Sequence, residues 1–462
     1  MIPISIEQAA RDAGGHTLAA AASDMVSATV SDSRQIRGGE LFVAIAGERV
    51  DGSALAGAAI EAGASAVLTA APEVACASGA PADRIIVVDD VILALGSLAR
   101  ESLARARSVN DRLKVVAVTG SVGKTTTKDL LASLLAVRGP IIAPPGSFNN
   151  EIGMPLTVLR AGADTATLVL EMGADHVGNI EYLTSIAPPD VGVVLIVARA
   201  HLGEFGGIDN VALAKSEMVS GTRGTVVLNA ADARVRAMAE RAHGKVVFFG
   251  EDGQRVYAED ATVDESGHAQ FTLVASTGRA RLTLGLVGEH HVSNALAAAC
   301  VADVFGIGVE QIAAVLETTG PASPHRMDVH SHKGMTIIDD SYNANPDSMR
   351  AGLDALGRLG EGRRKVAVLG AMLELGDASQ GEHEAIGRYA KRCGVDVVLT
   401  VGTEARPIAE VAREEGIEAH EAGADNALDV LATFVGEGDV ILLKGSHGSG
   451  VWRVADALVG EE

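Results

Sequence analysis

Val115-Val116-Ala117-Val118-Thr119-Gly120-Ser121-Val122-Gly123-Lys124-Thr125-Thr126-Thr127 is an apolar, strand-like run that turns through glycines into the helical pattern Lys128-Asp129-Leu130-Leu131-Ala132. Strand, turn and helix in that order gather the backbone N–H groups of Gly120, Ser121, Val122, Gly123, Lys124, Thr125 and Thr126 around one point, which is how a chain grips phosphate oxygens. Lys124 adds positive charge and the Thr125 hydroxyl can sit on Mg²⁺, so the stretch predicts a nucleoside triphosphate site. The loop is shorter than the common GxxxxGK[ST] form, because Val118 stands where that form has its first glycine. A glycine-rich turn with an incidental lysine is the bland alternative; a strand before it and a helix after it argue against that reading.

Working outward, short apolar runs alternate with amphipathic stretches, the pattern of parallel strands joined by helical crossovers. Residues 41–45, 66–69 and 85–88 read as early strands, 91–107 as a helix, and 114–118 as the first strand of a new block. Residues 167–170, 191–197, 225–228 and 245–249 extend that sheet, while the polar/apolar alternation of 255–286 predicts antiparallel strands added at its edge. Thr318-Thr319-Gly320-Pro321-Ala322-Ser323-Pro324 is the clearest linker, and strand-like runs resume at 336–338, 365–369, 395–400 and 439–443. The expectation is an α/β protein of three units, 1–90, 91–320 and 321–462.

Composition agrees. At roughly 150 residues per domain, the 462 residues suggest about three domains. Against 38 Lys and Arg stand 60 Asp and Glu, a net charge of −22 that repels nucleic acid and anionic lipid. Cys76, Cys300 and Cys393 lie far apart with no zinc spacing, no signal peptide opens the chain, and no apolar run is long enough to span a membrane. These features predict a cytoplasmic enzyme, with nothing that demands more than a monomer.

Polar residues recur at the ends of later strands, where a parallel sheet opens its crevice. Glu171 follows residues 167–170 and His201 follows 191–197, so both could converge on the phosphate loop. Glu171 offers the oxygen that Mg²⁺ prefers, and His201 is the less usual ligand. Taken singly, His201 could cap a helix and Glu171 could be a solvated strand end. Farther on, Asp340, Asn343 and Asn345 offer groups suited to a ribose or base, and Lys444-Gly445-Ser446 could hold a phosphate or carboxylate. Such clusters also make ordinary turns.

Taken together, these residues resemble the Mur ligase family, ATP-dependent amide-forming enzymes of peptidoglycan synthesis. The likeness runs in order through Asp32-Ser33-Arg34, Gly39-Glu40-Leu41-Phe42-Val43-Ala44, Asp51-Gly52, the Gly120-to-Thr125 loop, Glu171-Met172-Gly173, Ala200-His201-Leu202, residues 288–294, His325-Arg326-Met327 and Lys444-Gly445-Ser446. Within the family, residues 149–155, 340–346 and 369–376 are similar to the member that adds D-alanyl-D-alanine. The resemblance implies an N-terminal unit binding the UDP-linked acceptor, a central P-loop ATPase unit, and a Rossmann-like C-terminal unit that completes the nucleotide and D-Ala-D-Ala site. It implies that ATP phosphorylates the terminal carboxylate of UDP-N-acetylmuramoyl-tripeptide and that the amine of D-Ala-D-Ala attacks the acyl phosphate.

Carried over by motif, Lys124 would act on the phosphates, Thr125 and Glu171 would bind one Mg²⁺, and His201 a second. Lys215, in Ala214-Lys215-Ser216-Glu217, matches the family lysine that is carbamylated and would then serve the metal; read bare, it is an ordinary helical lysine. Asn294, Arg326, Asp340 and Asn345 would meet the nucleotide, Ser33 and Arg34 the UDP group, and Asn149, Asn150, Tyr342, Lys444 and Ser446 the substrates. The sequence departs from the family at Ile196 for Asn, Ala198 for Gly, His291 for Asn, and Val451-Trp452 for Met-Glu. The nearest rivals are the ligase adding the third amino acid, a folylpolyglutamate synthetase, and an ATPase that forms no bond. Lys124, Arg326, Lys444 and Mg²⁺ are expected to make a locally positive crevice within the acidic surface.

Overall fold

A computed structural model describes residues 1–47, 50–198 and 205–460. Three main sheets follow one another along the chain, and their inner strands are apolar runs of three to six residues buried on both faces, as parallel strands covered by helices must be. The first orders its strands His16–Thr17, Ile85–Val87, Ala66–Thr69, Glu40–Val43 and Ala28–Val30, all parallel except the outermost His16–Thr17. Helix Val91–Val109 buries Leu95, Leu98 and Leu103 in a core continuous with Leu41 and Leu68 on one side and Val115 and Leu168 on the other. Arg105 on this helix reaches Asp12 at 2.7 Å and Arg107 reaches Asp190 at 2.8 Å, so the helix is shared between the first two units.

The central sheet is wholly parallel, ordered Lys245–Phe249, Thr225–Asn229, Val191–Val194, Lys114–Thr119, Thr167–Glu171, Ile141–Ile142. Strand order reverses direction at Lys114–Thr119, which places a crevice at the carboxyl end of that strand, where the phosphate loop begins. Residues 255–286 correct the sequence expectation: Tyr257–Val263, His268–Ala275 and Gly278–Val287 pair only with one another, in a separate antiparallel sheet joined to the parallel one by a single bridge, Phe249 to Val256. Its inward residues, Phe271, Leu273, Leu282 and Leu284, pack in one core with Ala297, Ala298 and Cys300 of helix His291–Val304. The alternation thus reports one face laid on a small-residue helix rather than an edge extension.

The C-terminal sheet runs Asp328–His332, Met335–Asp340, Val440–Lys444, Lys365–Gly370, Val397–Val401, Glu418–Ala422, with only the first pair antiparallel. The carboxyl ends of its middle strands carry Asp340, Lys444 and Gly370. Among the described residues no helix is long and apolar enough to cross a membrane, and all three cysteines are free, with Cys300 buried and its thiol pushed up to about 12 by that burial.

Candidate functional site

A cavity of about 640 Å³ lies between the central and C-terminal units and is lined by the phosphate loop, Glu171, Lys215, Asn294, Arg326 and Tyr342 among others. Strand Lys114–Thr119 ends at its floor and helix Lys124–Leu135 begins there. Gly123, the residue before the helix, has φ +82°, a conformation side chains rarely adopt, and a Cβ placed on it would lie 2.3 Å from Asn294 Oδ1. Gly123→Ala is therefore expected to push the loop off its anion-binding geometry. The left-handed strain alone, about 1–2 kcal/mol, predicts roughly 5- to 30-fold weaker nucleotide binding. Calorimetric titration with ADP would measure it, and parental affinity would sink the argument.

Lys124 Nζ donates to Gly120 O across the loop at 2.9 Å. Burial lowers the pKa of its ammonium, Glu171 pushes it back up, and Arg326 adds to the lowering. Glu171 is buried, and both carboxylate oxygens are used: Thr125 Oγ1 donates to Oε2 at 2.9 Å and Asn149 Nδ2 to Oε1 at 2.7 Å. Thr125 and Glu171 thus present adjoining oxygens suited to Mg²⁺. Lys215 comes from helix Ile208–Gly221, is 3% exposed, and has its pKa brought down to about 7 by burial and then by the charge of Lys124. His201 lies outside the described residues.

Arg326 crosses from the C-terminal unit: Nη2 donates to Thr125 Oγ1 at 3.1 Å and to Ser147 Oγ at 3.0 Å, and the guanidinium stacks 4.0 Å over Tyr342. Ser147, which sequence reasoning passed over, also sits 2.7 Å from Thr125 Oγ1. A serine in a Pro-Pro-Gly-Ser turn carries no local signal; its role arises only from contacts 22 and 179 residues away. Asn294 Nδ2 lies 3.1 Å from His291 Nδ1, so the unusual histidine orients the family asparagine. Burial and the neighbouring His290 hold the His291 pKa well below the ordinary value, so the ring stays neutral. The strand end at Ile196 and Ala198 holds the loop through main chain: Ser121 N donates to Ile196 O and Ala198 N to Ser121 Oγ, both at 2.9 Å. Those contacts do not depend on the side chains that depart from the family.

Lys444 does not add free positive charge. Its buried Nζ is 2.5 Å from Asp340 Oδ2 and 3.1 Å from Asn343 O, so the expected positive crevice rests on Lys124 and Arg326. Asn345 lines the cavity while its side chain caps helix Pro346–Leu359, accepting from Ser348 N at 2.9 Å. Asn150 likewise caps the start of helix Gly153–Val158, with Oδ1 accepting from Gly153 N at 2.9 Å. Ser446 is buried, accepts from Leu373 N at 3.0 Å, and is not among the cavity-lining residues. Ser33 and Arg34 are not among them either; Arg34 is paired with Asp32 on the N-terminal unit. Trp452 stacks 5.2 Å from His447, closing the far end of the Lys444 loop with an aromatic pair. Glu374, at φ +65°, also lines the cavity, and burial followed by the charge of Asp175 raises its pKa.

Comparison with known proteins matches three family models along the chain: the Mur ligase family catalytic domain at residues 26–102, the Mur ligase middle domain at 118–302, and the Mur ligase glutamate ligase domain at 325–447. The UDP-N-acetylmuramoyl-tripeptide--D-alanyl-D-alanine ligase of Mycobacterium tuberculosis (strain H37Rv) is 43% identical, over 100% of this chain and 99% of that one. The structure of MurF from Acinetobacter baumannii superposes with a TM-score of 0.86 at 30% identity, covering 99% of both chains. That of the MurF ligase from Thermotoga maritima, in complex with ADP, gives 0.77 at 31% identity, covering 94% of this chain and 97% of that one.

Proposed function

This chain belongs to the Mur ligase family, and from that premise we propose how its cavity joins D-alanyl-D-alanine to UDP-N-acetylmuramoyl-tripeptide. The chain is a UDP-N-acetylmuramoyl-tripeptide--D-alanyl-D-alanine ligase of cell-wall synthesis. The observation that carries the mechanism is the meeting of Lys124, Thr125 and Glu171 from one unit with Arg326 from the next. The backbone N–H groups from Gly120 to Thr126 and the Lys124 ammonium hold the ATP phosphates. Thr125 and Glu171 hold Mg²⁺, with Lys215 as its carbamate and His201 serving a second ion, and the metal supplies positive charge beside the phosphates.

A carboxylate oxygen of the tripeptide attacks the γ-phosphorus, ADP leaves, and the acyl phosphate so formed carries a good leaving group where the free acid had a poor one. The dipeptide amine then adds to the acyl carbon, the tetrahedral adduct expels phosphate, and the amide remains. Lys124 and Arg326 offset negative charge as it moves through the first step. Because Arg326 and Tyr342 belong to the C-terminal unit, the site is complete only when that unit closes on the central one, which also excludes the water that would hydrolyse the intermediate. In this reading Asn294, Asp340 and Asn345 would meet the nucleoside, Ser33 and Arg34 the UDP group, and Asn149, Asn150 and Tyr342 the substrates. The protein acts as a monomer in the cytoplasm, where ATP and the UDP-linked precursor are found.

Phosphate release is expected only when ATP, UDP-N-acetylmuramoyl-tripeptide and D-Ala-D-Ala are all present, with the pentapeptide product confirmed by mass. Equal release with single amino acids, or with no amine, would withdraw the acceptor assignments.

A further inference from the structure

Thr125 Oγ1 lies at the middle of a row of three oxygens on the cavity floor, 2.7 Å from Ser147 Oγ and 2.9 Å from Glu171 Oε2. The loop bearing Ser147 is fixed from the phosphate-binding helix itself. Lys128, one turn beyond Thr125 and 1% exposed, donates from Nζ to Pro144 O at 2.8 Å and to Gly146 O at 3.2 Å, with Asp129 2.7 Å away to balance its charge. Burying a lysine is costly unless it is paired and hydrogen-bonded, and here the arrangement holds the two carbonyls of the turn that leads into Ser147. From the opposite unit, Arg326 Nη2 donates to both the Thr125 and Ser147 hydroxyls, while its Nε is buried with no hydrogen-bond partner among the described residues.

We propose that Ser147 is a third protein oxygen of the divalent-cation site, and that Arg326 holds the Thr125 and Ser147 oxygens against a lone cation. The proposal rests on the reading above that Thr125 and Glu171 bind Mg²⁺. An octahedral Mg²⁺ with bonds of 2.0–2.1 Å sets neighbouring ligand oxygens about 2.9 Å apart. The two observed separations, 2.7 and 2.9 Å, sit at that spacing. A guanidinium N–H uses the lone pairs on these hydroxyls that a cation needs, and its positive charge repels the cation as well. A nucleotide phosphate offers the guanidinium a better acceptor, including one for the orphaned Nε, and so frees both oxygens. Cation binding is thereby made to depend on the nucleotide.

Mn²⁺ is the probe, its free concentration read by electron paramagnetic resonance with and without ADP, on the full chain and on Ser147→Ala, Ser147→Thr, Arg326→Met and Glu171→Gln, each with a parental circular dichroism spectrum. Ser147→Ala is expected to weaken Mn²⁺ binding in the presence of ADP by about tenfold, the lower end for perturbing a metal's surroundings, and Ser147→Thr to restore it. Arg326→Met is expected to bind Mn²⁺ more tightly than the parent when no ADP is present, although it binds ADP less well. Parental Mn²⁺ affinity in Ser147→Ala, or no gain in Arg326→Met, overturns the proposal while a loss in Glu171→Gln leaves the underlying metal site standing. Parental affinity in Glu171→Gln overturns both. Should Ser147→Ala fail to fold, Arg326→Met still decides.

Discussion

Lys124→Met is expected to lower kcat by about 10³-fold, the scale on which a preorganised charge stabilises a transition state. Methionine keeps the buried stem and removes the charge, so the packing around helix Lys124–Leu135 is retained and the loss is electrostatic. Two further consequences separate this result from misfolding. The contact from Nζ to Gly120 O disappears, loosening the loop, so ADP affinity falls along with kcat. The charge of Lys124 is also one of the two causes that depress the pKa of Lys215, so the Lys215 amine should titrate above its value of about 7 in the variant. Rapid-quench measurement of phosphate release, beside ADP titration and a thermal melt, tests all of this. Turnover within about threefold of the parent, far from the expected electrostatic loss, would remove Lys124 from the mechanism.

The parts of this molecule that could be read from sequence are those whose physics is local. The strand before Gly120 and the helix after it are contiguous, so the phosphate loop is legible within thirteen residues. Buried parallel strands announce themselves as apolar runs, and Ala66–Thr69 and Lys245–Phe249 fall at the expected bounds. Edge strands do not: Asp328–His332 and Glu418–Ala422 are polar because each has only one neighbouring strand and an open flank. The three-stranded sheet was visible as alternation, but its partner helix His291–Val304 is apolar nearly all round, so nothing in the strands said which surface they would cover. At the site, Glu171 stood out as a charge at a strand end, whereas Arg326 was reached only through the family motif His325-Arg326-Met327. The pairing of Lys444 with Asp340, and the arrival of Ser147 beside Thr125, depend on contacts across 104 and 22 residues that no local pattern encodes.

Lys215→Ala is expected to lower turnover by on the order of 10³-fold, as for loss of a group that fixes a catalytic metal's charge, and a small carboxylate such as acetate should restore part of it. The argument starts from burial. Lys215 is 3% exposed and shares the cavity with Lys124, so its ammonium is doubly disfavoured and its pKa falls to about 7. Only the neutral amine adds to CO₂, giving a carbamate and a released proton, and the product turns a cation into an oxygen ligand. For a group with pKa about 7, the neutral fraction is roughly one tenth at pH 6 and nine tenths at pH 8. The sign therefore favours carbamate as pH rises. After CO₂ is stripped from the protein, recovery of activity at fixed dissolved CO₂ should grow from pH 6 to pH 8 and level off above. An ordinary exposed lysine would instead keep gaining up to about pH 10.4. Activity in Lys215→Ala that equals the parent, or recovery of the stripped parent that ignores dissolved CO₂, would return Lys215 to a structural role, leaving its buried amine as a packing group beside the phosphate loop.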